Sequence, residues 1–582
     1  MFRSVLVANR GEIALRVLRG CRDLGVRGIA VYSEADRDAP WLRAADEAHL
    51  LGPAVPAESY LSVDRILDVA ARSGAEGIHP GYGFLSENAD FARAVVAAGR
   101  TWIGPPPRAI AAMGDKLSAR AAAQAAGVPV VPGTSEPTDD PEVVRAFAEQ
   151  HGYPVAIKAA FGGGGRGLKV VRDPAELAEA LEAAQREAVA AFGRGEVYVE
   201  RYLQRPRHIE IQVLADTHGT VLSLGERDCS TQRRHQKLLE ESPAPGFDPG
   251  TRVAMGEAAV RLARSVGYEG AGTAEFLFTD GRYHFLEMNA RLQVEHPVTE
   301  LVTGLDMVHW QLRIASGEPL PFTQDDVVLR GHAMEARINA EDVAAGFVPS
   351  PGRITAWREP SGPGVRVDSG AEEGWEVPRE YDSLLAKVIA YGADREEATR
   401  KLDRAVAEFV VEGVPTTLDF HRFVLSNPAF LSGDVSTVSV EREWDLSTIS
   451  PAAPTAPGGR AGLGETSSRR FIVEVGGKRL EVALFEPAAL TADGAPARRE
   501  RPWARGAGGS SGADLIAPMQ GTIVKAAIEP GATVAAGDLV VVLEAMKMEN
   551  RIAAHRDGTL TVLHVGPGDV VNAGDLLATI ES

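Results

Sequence analysis

The segment Gly521 to Ala545 recurs without a gap as Gly558 to Ser582, at a constant offset of 37 residues (558 minus 521). Gly521/Gly558, Thr522/Thr559, Pro530/Pro567, Gly531/Gly568, Gly537/Gly574, Asp538/Asp575 and Leu539/Leu576 are identical pairs. Each copy reads strand–turn–strand and is too short to bury its own apolar face, so the two sheets must pack on one another. The tail is therefore expected to be a flattened, quasi-two-fold, all-β module. Between the copies stands Leu543-Glu544-Ala545-Met546-Lys547-Met548-Glu549-Asn550, with strands on either side that put Met546 and Lys547 at a hairpin tip. A lysine at a turn is ordinarily a solubilising residue. Methionines on both sides of it, where solvent should be, suggest recognition by another protein.

The remainder alternates short apolar strands with helical patterns, as in Val5-Leu6-Val7-Ala8, Ile13 to Gly25 and Gly28 to Tyr32. Such alternation predicts a βαβ sheet with helices on both faces. At roughly 150 residues per unit, 582 residues make about four units. We divide the chain at 1–113, 114–317 (with an inserted block at about 131–203), 318–446, 447–513 and 514–582. The fourth stretch is mostly linker, because Ser450 to Ser468 and Pro487 to Gly512 have linker composition. Between them, Phe471 to Phe485 reads as a hairpin around Gly476-Gly477.

Net charge of −19 argues against a general phosphate-backbone binder. Cys21 and Cys229 are too few and too far apart for a disulfide framework, and they rule out a cysteine metal site by count. No segment approaches the ~20 apolar residues that span a bilayer, and the first residues lead into a strand rather than a signal peptide. The expectation is a cytoplasmic, multidomain protein that binds neither nucleic acid nor membrane.

Two further patterns carry chemistry. A strand delivers Lys158, after which Gly162 to Gly165 and Arg166 offer backbone N–H groups and a cation to anionic oxygens. On its own such a glycine run is as often a hinge. The second lies between Thr273 and Thr299. Thr273–Phe278 and Tyr283–Met288 read as two strands joined at Asp280-Gly281. A three-residue loop (Asp280 to Arg282) places Glu275 opposite Glu287, with Asn289 on the same face, a set suited to a hard, oxygen-liganded divalent ion. A two-residue loop would put the glutamates on opposite faces. Alternation then runs on through Glu287, Asn289, Arg291, Gln293 and Glu295, one polar face from a metal site to a base. The bland alternative is an amphipathic edge strand with a solvated face.

Asn9 to Ala14, His79 to Asn88, Met113 to Lys116, Glu226 to Ser230 and Arg291 to Pro297 together resemble biotin carboxylase over about residues 1–446, and Ala545-Met546-Lys547-Met548 resembles the attachment motif of biotin carrier domains over about 514–582. Lipoyl domains share the carrier fold, but their lysine usually lacks the flanking methionines. The combination is similar to the alpha subunits of acetyl-CoA and propionyl-CoA carboxylases of the shorter actinobacterial type. That resemblance implies α/β and α+β architecture: a Rossmann-like preATP-grasp domain, an ATP-grasp domain with a mobile lid, a C-terminal domain, a linker, and a flattened-barrel biotinyl domain.

It also implies a mechanism. ATP and bicarbonate form carboxyphosphate, which yields CO₂ and phosphate; the phosphate removes the biotin N1′ proton and biotin attacks CO₂. Lys116, Lys158, Gly164 and Gly165 then contact ATP phosphates, Glu200, Tyr202 and Leu203 form the adenine-side hinge, and His208, Gln232 and His235 lie near ribose and base. Glu275, Glu287 and Asn289 bind Mg²⁺ or Mn²⁺. Lys237, Arg291, Gln293 and Val294 hold bicarbonate, Glu295 deprotonates it, and Arg337 stabilises enolised biotin in a pocket lined by Tyr82. Biotin is attached at Lys547 by a biotin protein ligase, and a separate carboxyltransferase beta subunit completes the reaction. Ala290 and Arg201 depart from the family's usual Thr and Lys, and the short 447–513 stretch leaves open how the partner docks. The alternatives are the alpha chain of a two-subunit pyruvate carboxylase, another ATP-grasp ligase (which leaves Lys547 unexplained), and a carrier with a dead ATP site.

Overall fold

A computed structural model describes residues 1–134, 136–138, 140–159, 168–192, 195–449, 467–475, 478–486, 513–518, 521–545, 548–571 and 574–581. The chain forms two compact units, Met1–Ala452 and Ala453–Ser582.

The first unit opens with the expected parallel sheet. Its strands are β1 (Ser4–Val7), β2 (Arg27–Ser33), β3 (Glu47–Gly52), β4 (Gly77–His79) and β5 (Thr101–Trp102), in the order β3-β2-β1-β4-β5 with every pair parallel. Parallel strands need crossovers, and helices Gly11–Asp23, Val63–Ser73 and Ala89–Ala97 supply them. A small antiparallel sheet follows, with β6 (Val155–Ala159) between β7 (Lys169–Val171) and β8 (Val197–Arg201). Helices Pro141–His151 and Leu177–Phe192 cover it through Val144, Phe147 and Leu181.

The site is built on a third, eight-stranded antiparallel sheet. It comprises β9 (Arg207–Ala215), β10 (Val221–Arg233), β11 (Gln236–Ser242), β12 (Gly270–Thr279), β13 (Arg282–Asn289), β14 (His332–Asn339) and the strands Val365–Ser369 and Leu384–Gly392. The order is β13-β12-β9-β10-β11-β14, then Leu384–Gly392 and Val365–Ser369. The β11–β14 pairing carries this sheet across residue 317 without interruption.

In the second unit, Ser467–Val475 and Lys478–Glu486 pair as a hairpin, while Gly476 and Gly477 lie outside the described residues. The tail forms two four-stranded sheets. Strands Gly521–Ala526, Thr533–Val534 and Leu539–Ala545 of the first copy match Gly558–Leu563, Val570–Val571 and Leu576–Glu581 of the second. The turn glycines repeat as well: Gly531 and Gly568 have φ of 96° and 95°, Gly537 and Gly574 of 99° and 89°. Neither copy is self-contained. Thr533–Val534 pairs with Gly558–Thr559 of the other copy, and Val570–Val571 returns to Gly521–Thr522. Ile523, Val540, Leu543, Leu560, Leu577 and Ile580 are buried between the sheets. Among the described residues no helix is long and apolar enough to cross a membrane.

Candidate functional site

One lateral row crosses four strands of the large sheet. Arg227 on β10 faces Glu210 on β9, Glu210 faces Glu275 on β12, and Glu275 faces Glu287 on β13. Cross-strand partners project to the same side, so three glutamates stand side by side, an arrangement that repels unless cations balance it. The Glu275–Glu287 pairing arises differently from the expectation. The loop is two residues, Asp280 (φ 51°) and Gly281 (φ 71°), the left-handed pair that a tight hairpin favours. Alone it would set the glutamates on opposite faces. The register shifts between Glu275/Glu287 and Phe276/Phe285, so Leu286 is an extra, bulged residue that restores the pairing.

The extended alternation also stops sooner than expected, because β13 ends at Asn289 and Glu295 already caps helix His296–Thr303. The side chains converge nonetheless. Arg291 donates to Asn289 Oδ1 at 2.6 Å and to Glu87 Oε2 at 2.9 Å, and Gln293 Nε2 donates to Glu275 Oε1 at 2.7 Å. Gln293 is aimed by Arg227, which is fully buried and donates to Gln293 Oε1 at 2.7 Å, Glu210 Oε1 at 2.5 Å, Gln212 Oε1 at 2.6 Å, Thr299 Oγ1 at 2.9 Å and Thr273 Oγ1 at 3.1 Å.

Lys237 gathers three of the carboxylates: its Nζ lies 2.5 Å from Glu210, 2.9 Å from Glu275 and 2.6 Å from Glu295. The second Glu295 oxygen accepts from Arg337 Nη2 at 2.8 Å. Burial opposes charge on Glu295, but Lys237, Arg337 and Arg227 hold its carboxyl well below the usual carboxylate range. Glu295 is thus an ionised acceptor at neutral pH. Val294 offers its carbonyl to the buried Lys387 at 2.8 Å, and Tyr82 bonds Glu12, itself 3.2 Å from Lys387.

At the other end of the row stand the lysines. Lys158 on β6 is bonded to Glu200 on β8, whereas burial and the neighbouring Lys158 lower Lys116. Two ammonium groups facing one space suit an anion between them. Tyr202 and Leu203 continue directly from β8, Leu203 buried and Tyr202 receiving Arg172 over its ring at 5.8 Å. His208 lies against the carboxylate row, with Nε2 3.0 Å from Glu275; burial opposes its charge, but Glu275 raises its pKa. Gln232 is buried against His208 Nδ1 at 3.3 Å, and His235 is exposed on the turn between β10 and β11. Gly164 and Gly165 lie outside the described residues, as do Met546 and Lys547, which fall between Leu539–Ala545 and Met548–Ala553.

The donor set fits a hard divalent cation in part. Burial and Glu275 both push Glu287 above the usual carboxylate range, the mark of negative charge gathered without enough cation. Asn289 as oriented donates its amide N–H to Glu275 at 2.9 Å and accepts from Arg291 at its oxygen, while Glu275 also accepts from Lys237 and Gln293, so a cation there displaces protein donors at both residues. The sequence reading missed Glu87, Glu210, Arg227, Glu240 and Lys387. A signal existed for one of them: His208, Glu210 and Gln212 alternate with Ile209, Ile211 and Val213 on β9.

Four family models match the chain on either side of an unmatched stretch at 443–512. Those described as "Biotin carboxylase, N-terminal domain", "Carbamoyl-phosphate synthase L chain, ATP binding domain", "Biotin carboxylase C-terminal domain" and "Biotin-requiring enzyme" match residues 1–110, 115–323, 335–442 and 513–580. The alpha3 subunit of a biotin-dependent acyl-coenzyme A carboxylase from Mycobacterium leprae is 52% identical over 571 residues, 95% of this chain and 94% of its own. A pyruvate carboxylase subunit of Methanothermobacter thermautotrophicus is 52% identical over 441 residues, 76% of this chain and 90% of its own. Among solved structures, the biotin carboxylase–beta-gamma-ATP complex of Campylobacter jejuni is 45% identical with TM-score 0.74, covering 76% of this chain and 99% of that one. The biotin carboxylase domain dimer of Hydrogenobacter thermophilus 2-oxoglutarate carboxylase, with MgADP, ADP and bicarbonate, is 45% identical with TM-score 0.73, covering 76% and 97%.

Proposed function

Because the chain belongs to the alpha subunits of the biotin-dependent acyl-coenzyme A carboxylases, a biotin carboxylase joined to its own carrier domain, we propose that it carboxylates biotin borne on Lys547 for transfer by a separate carboxyltransferase beta subunit. ATP and bicarbonate are consumed through carboxyphosphate, and acetyl-CoA or propionyl-CoA is the acceptor, giving malonyl-CoA or methylmalonyl-CoA. One observation carries this reading: an ionised Glu295 held between Lys237 and Arg337, beside a glutamate row that calls for a cation.

Each residue has a task. Lys116 and Lys158, with Gly164 and Gly165, bind the phosphates; Glu200, Tyr202 and Leu203 face the adenine; His208, Gln232 and His235 border the nucleoside. Bound Mg²⁺ or Mn²⁺ on Glu275 and Glu287, with Asn289 beside them, supplies charge neutralisation at the phosphate oxygens. Arg291 and Lys237, with Gln293 and the Val294 backbone, orient bicarbonate, and Arg's fork suits its planar oxyanion. Glu295 accepts its proton. Arg337, with Tyr82 lining the pocket, stabilises negative charge on the biotin ureido oxygen. The working division of the chain is 1–113, 114–317, 318–446, 447–513 and 514–582, with the short 447–513 stretch as the docking region and the cytoplasm as the compartment. A biotin protein ligase loads Lys547.

The test is avidin capture from the native cells, identification of what co-purifies, and acyl-CoA carboxylation by the complex. A carboxyltransferase active on acetyl-CoA or propionyl-CoA supports the proposal and names the substrate. No capture removes biotin from Lys547, and a pyruvate-specific partner replaces the acyl-CoA reading.

A further inference from the structure

Two acidic side chains are sealed behind Arg337. Glu240 on β11 and Glu335 on β14 are direct register partners, so both leave the sheet on one face, and both are 0% exposed. Glu240 Oε1 accepts from Arg337 Nε at 2.5 Å. Its Oε2 and both oxygens of Glu335 have no hydrogen-bond donor among the described residues.

The surroundings do not supply one. The charged groups bearing on the pair are Arg337 of β14, Lys237 of β11, Glu295 at the helix start and Lys387 of Leu384–Gly392, and on β10 Cys229 bears on Glu240 with its thiol kept neutral by burial. Arg337 and Lys237 are turned to Glu295, and Lys387 to the Val294 carbonyl, Glu12 and, at 3.8 Å, Asp368. On helix His296–Thr303, Glu300 is taken by Arg16 and Arg366, and burial keeps His296 neutral. What remains is apolar: Ile389, the partner of Glu335 on its other side, with Val298, Val302 and Ala333. Two opposed anions with three unpaired oxygens in such a place are strongly disfavoured. A single proton removes the conflict, because it turns one oxygen into a donor for the other residue and leaves one negative charge to face Arg337.

We propose that Glu240 and Glu335 share one proton and act together as the positioning pair that aims Arg337 at Glu295 and at biotin. The inference rests on the role proposed for Arg337 in the biotin pocket. The proton stays within the pair through the reaction, and no bond to substrate forms or breaks there. Its loss adds a second anion behind Arg337 and draws the guanidinium back from Glu295; a second proton neutralises Glu240 and lets Arg337 collapse onto Glu295. In support, burial pushes Glu240 up to about 7 against the pull of Arg337, and burial pushes Glu335 well above the carboxylate range, with Glu240 adding to it.

Infrared titration of the full chain with ¹³C-labelled glutamate tests the shared proton directly. Above pH ~6, where ordinary glutamates are ionised, the expected result is carboxylic-acid C=O absorption in the unsubstituted protein, one component of which is lost in Glu335→Gln. No acid absorption, or none lost in Glu335→Gln, overturns the proposal; the unsubstituted protein alone decides the first point if the variant fails to fold. Kinetics test the positioning. Glu335→Gln keeps a donor for Glu240 and is expected to retain the KM for free biotin, whereas Glu335→Leu is expected to raise it about tenfold. Equal KM values in both variants overturn the positioning role. In Arg337→Met, an unchanged KM for biotin with the acid band still present would instead overturn the role of Arg337 in the proposed function.

Discussion

Arg337 Nη2 lies 2.8 Å from Glu295 Oε2, so the group proposed to receive biotin and the group proposed to take the bicarbonate proton are already in contact. Glu295 Oε1 is equally committed to Lys237 at 2.6 Å. Proton acceptance at this carboxylate is therefore a matter of placement, since the same two cations that locate it also lower its basicity.

Glu295→Gln should slow bicarbonate-dependent ATP cleavage by at least ~10²-fold, measured with saturating ATP and bicarbonate. An unchanged rate would remove Glu295 from the proton-accepting role. The carboxyl is depressed in the folded state, so its contribution to stability is present above the unfolded pKa of ~4.3 and is lost as pH falls through the lower folded value. Thermal midpoints of the two proteins should therefore converge on acidification below pH ~4.

Arg227→Met should act on bicarbonate without touching it. Its five hydrogen bonds hold Gln293 and Glu210 from behind. Cutting them leaves Glu210 buried with Lys237 and, at 3.9 Å, His208, at a cost of about 3–5 kcal/mol in stability. In the fraction that folds, the KM for bicarbonate should rise about tenfold while that for ATP changes little. Equal changes in both would mean a general loosening of the sheet.

Deleting Leu286 should leave the two expected metal ligands together, and removing Glu287 should not. With the extra residue gone, the Asp280-Gly281 turn survives and Glu287 follows Phe285 directly, still opposite Glu275. In Glu287→Leu, by contrast, ATP cleavage is expected to fall by ~10²-fold or more and to lose its response to added Mg²⁺. A Glu287→Leu variant with unchanged Mg²⁺ dependence would take Glu287 out of the site.

Lys547→Arg should abolish avidin capture and acyl-CoA carboxylation but leave carboxylation of free biotin measurable. Loss of all three would mean that the carboxylase and the carrier are not separable as proposed.

The tail was legible because a gapless offset constrains every strand at once: each strand of the first copy has its counterpart 37 residues on. The opening parallel sheet was legible from alternating apolar runs. The site was legible unevenly. Glu275 and Glu287 do face each other, but through a two-residue turn corrected at Leu286, and a bulge leaves no pattern in composition or periodicity. The period-two run from Glu287 to Glu295 suggested one extended chain, yet the strand ends at Asn289 and the last residues reach the site through a turn into a helix. Arg227, Glu240 and Glu335 were hidden for a different reason. Their partners lie on other strands, and only long-range register brings Arg227 to Glu210, or Glu240 to Glu335.

The exchange of short strands within the tail has a consequence for cooperativity. Thr533–Val534 rests on Gly558–Thr559, Gly521–Thr522 rests on Val570–Val571, and Leu576–Glu581 lies between Asp514–Ile516 and Gly558–Leu563. A cut between the two copies therefore strips strand partners from both halves at once. The repeat is a duplication in sequence but a single, indivisible unit in folding.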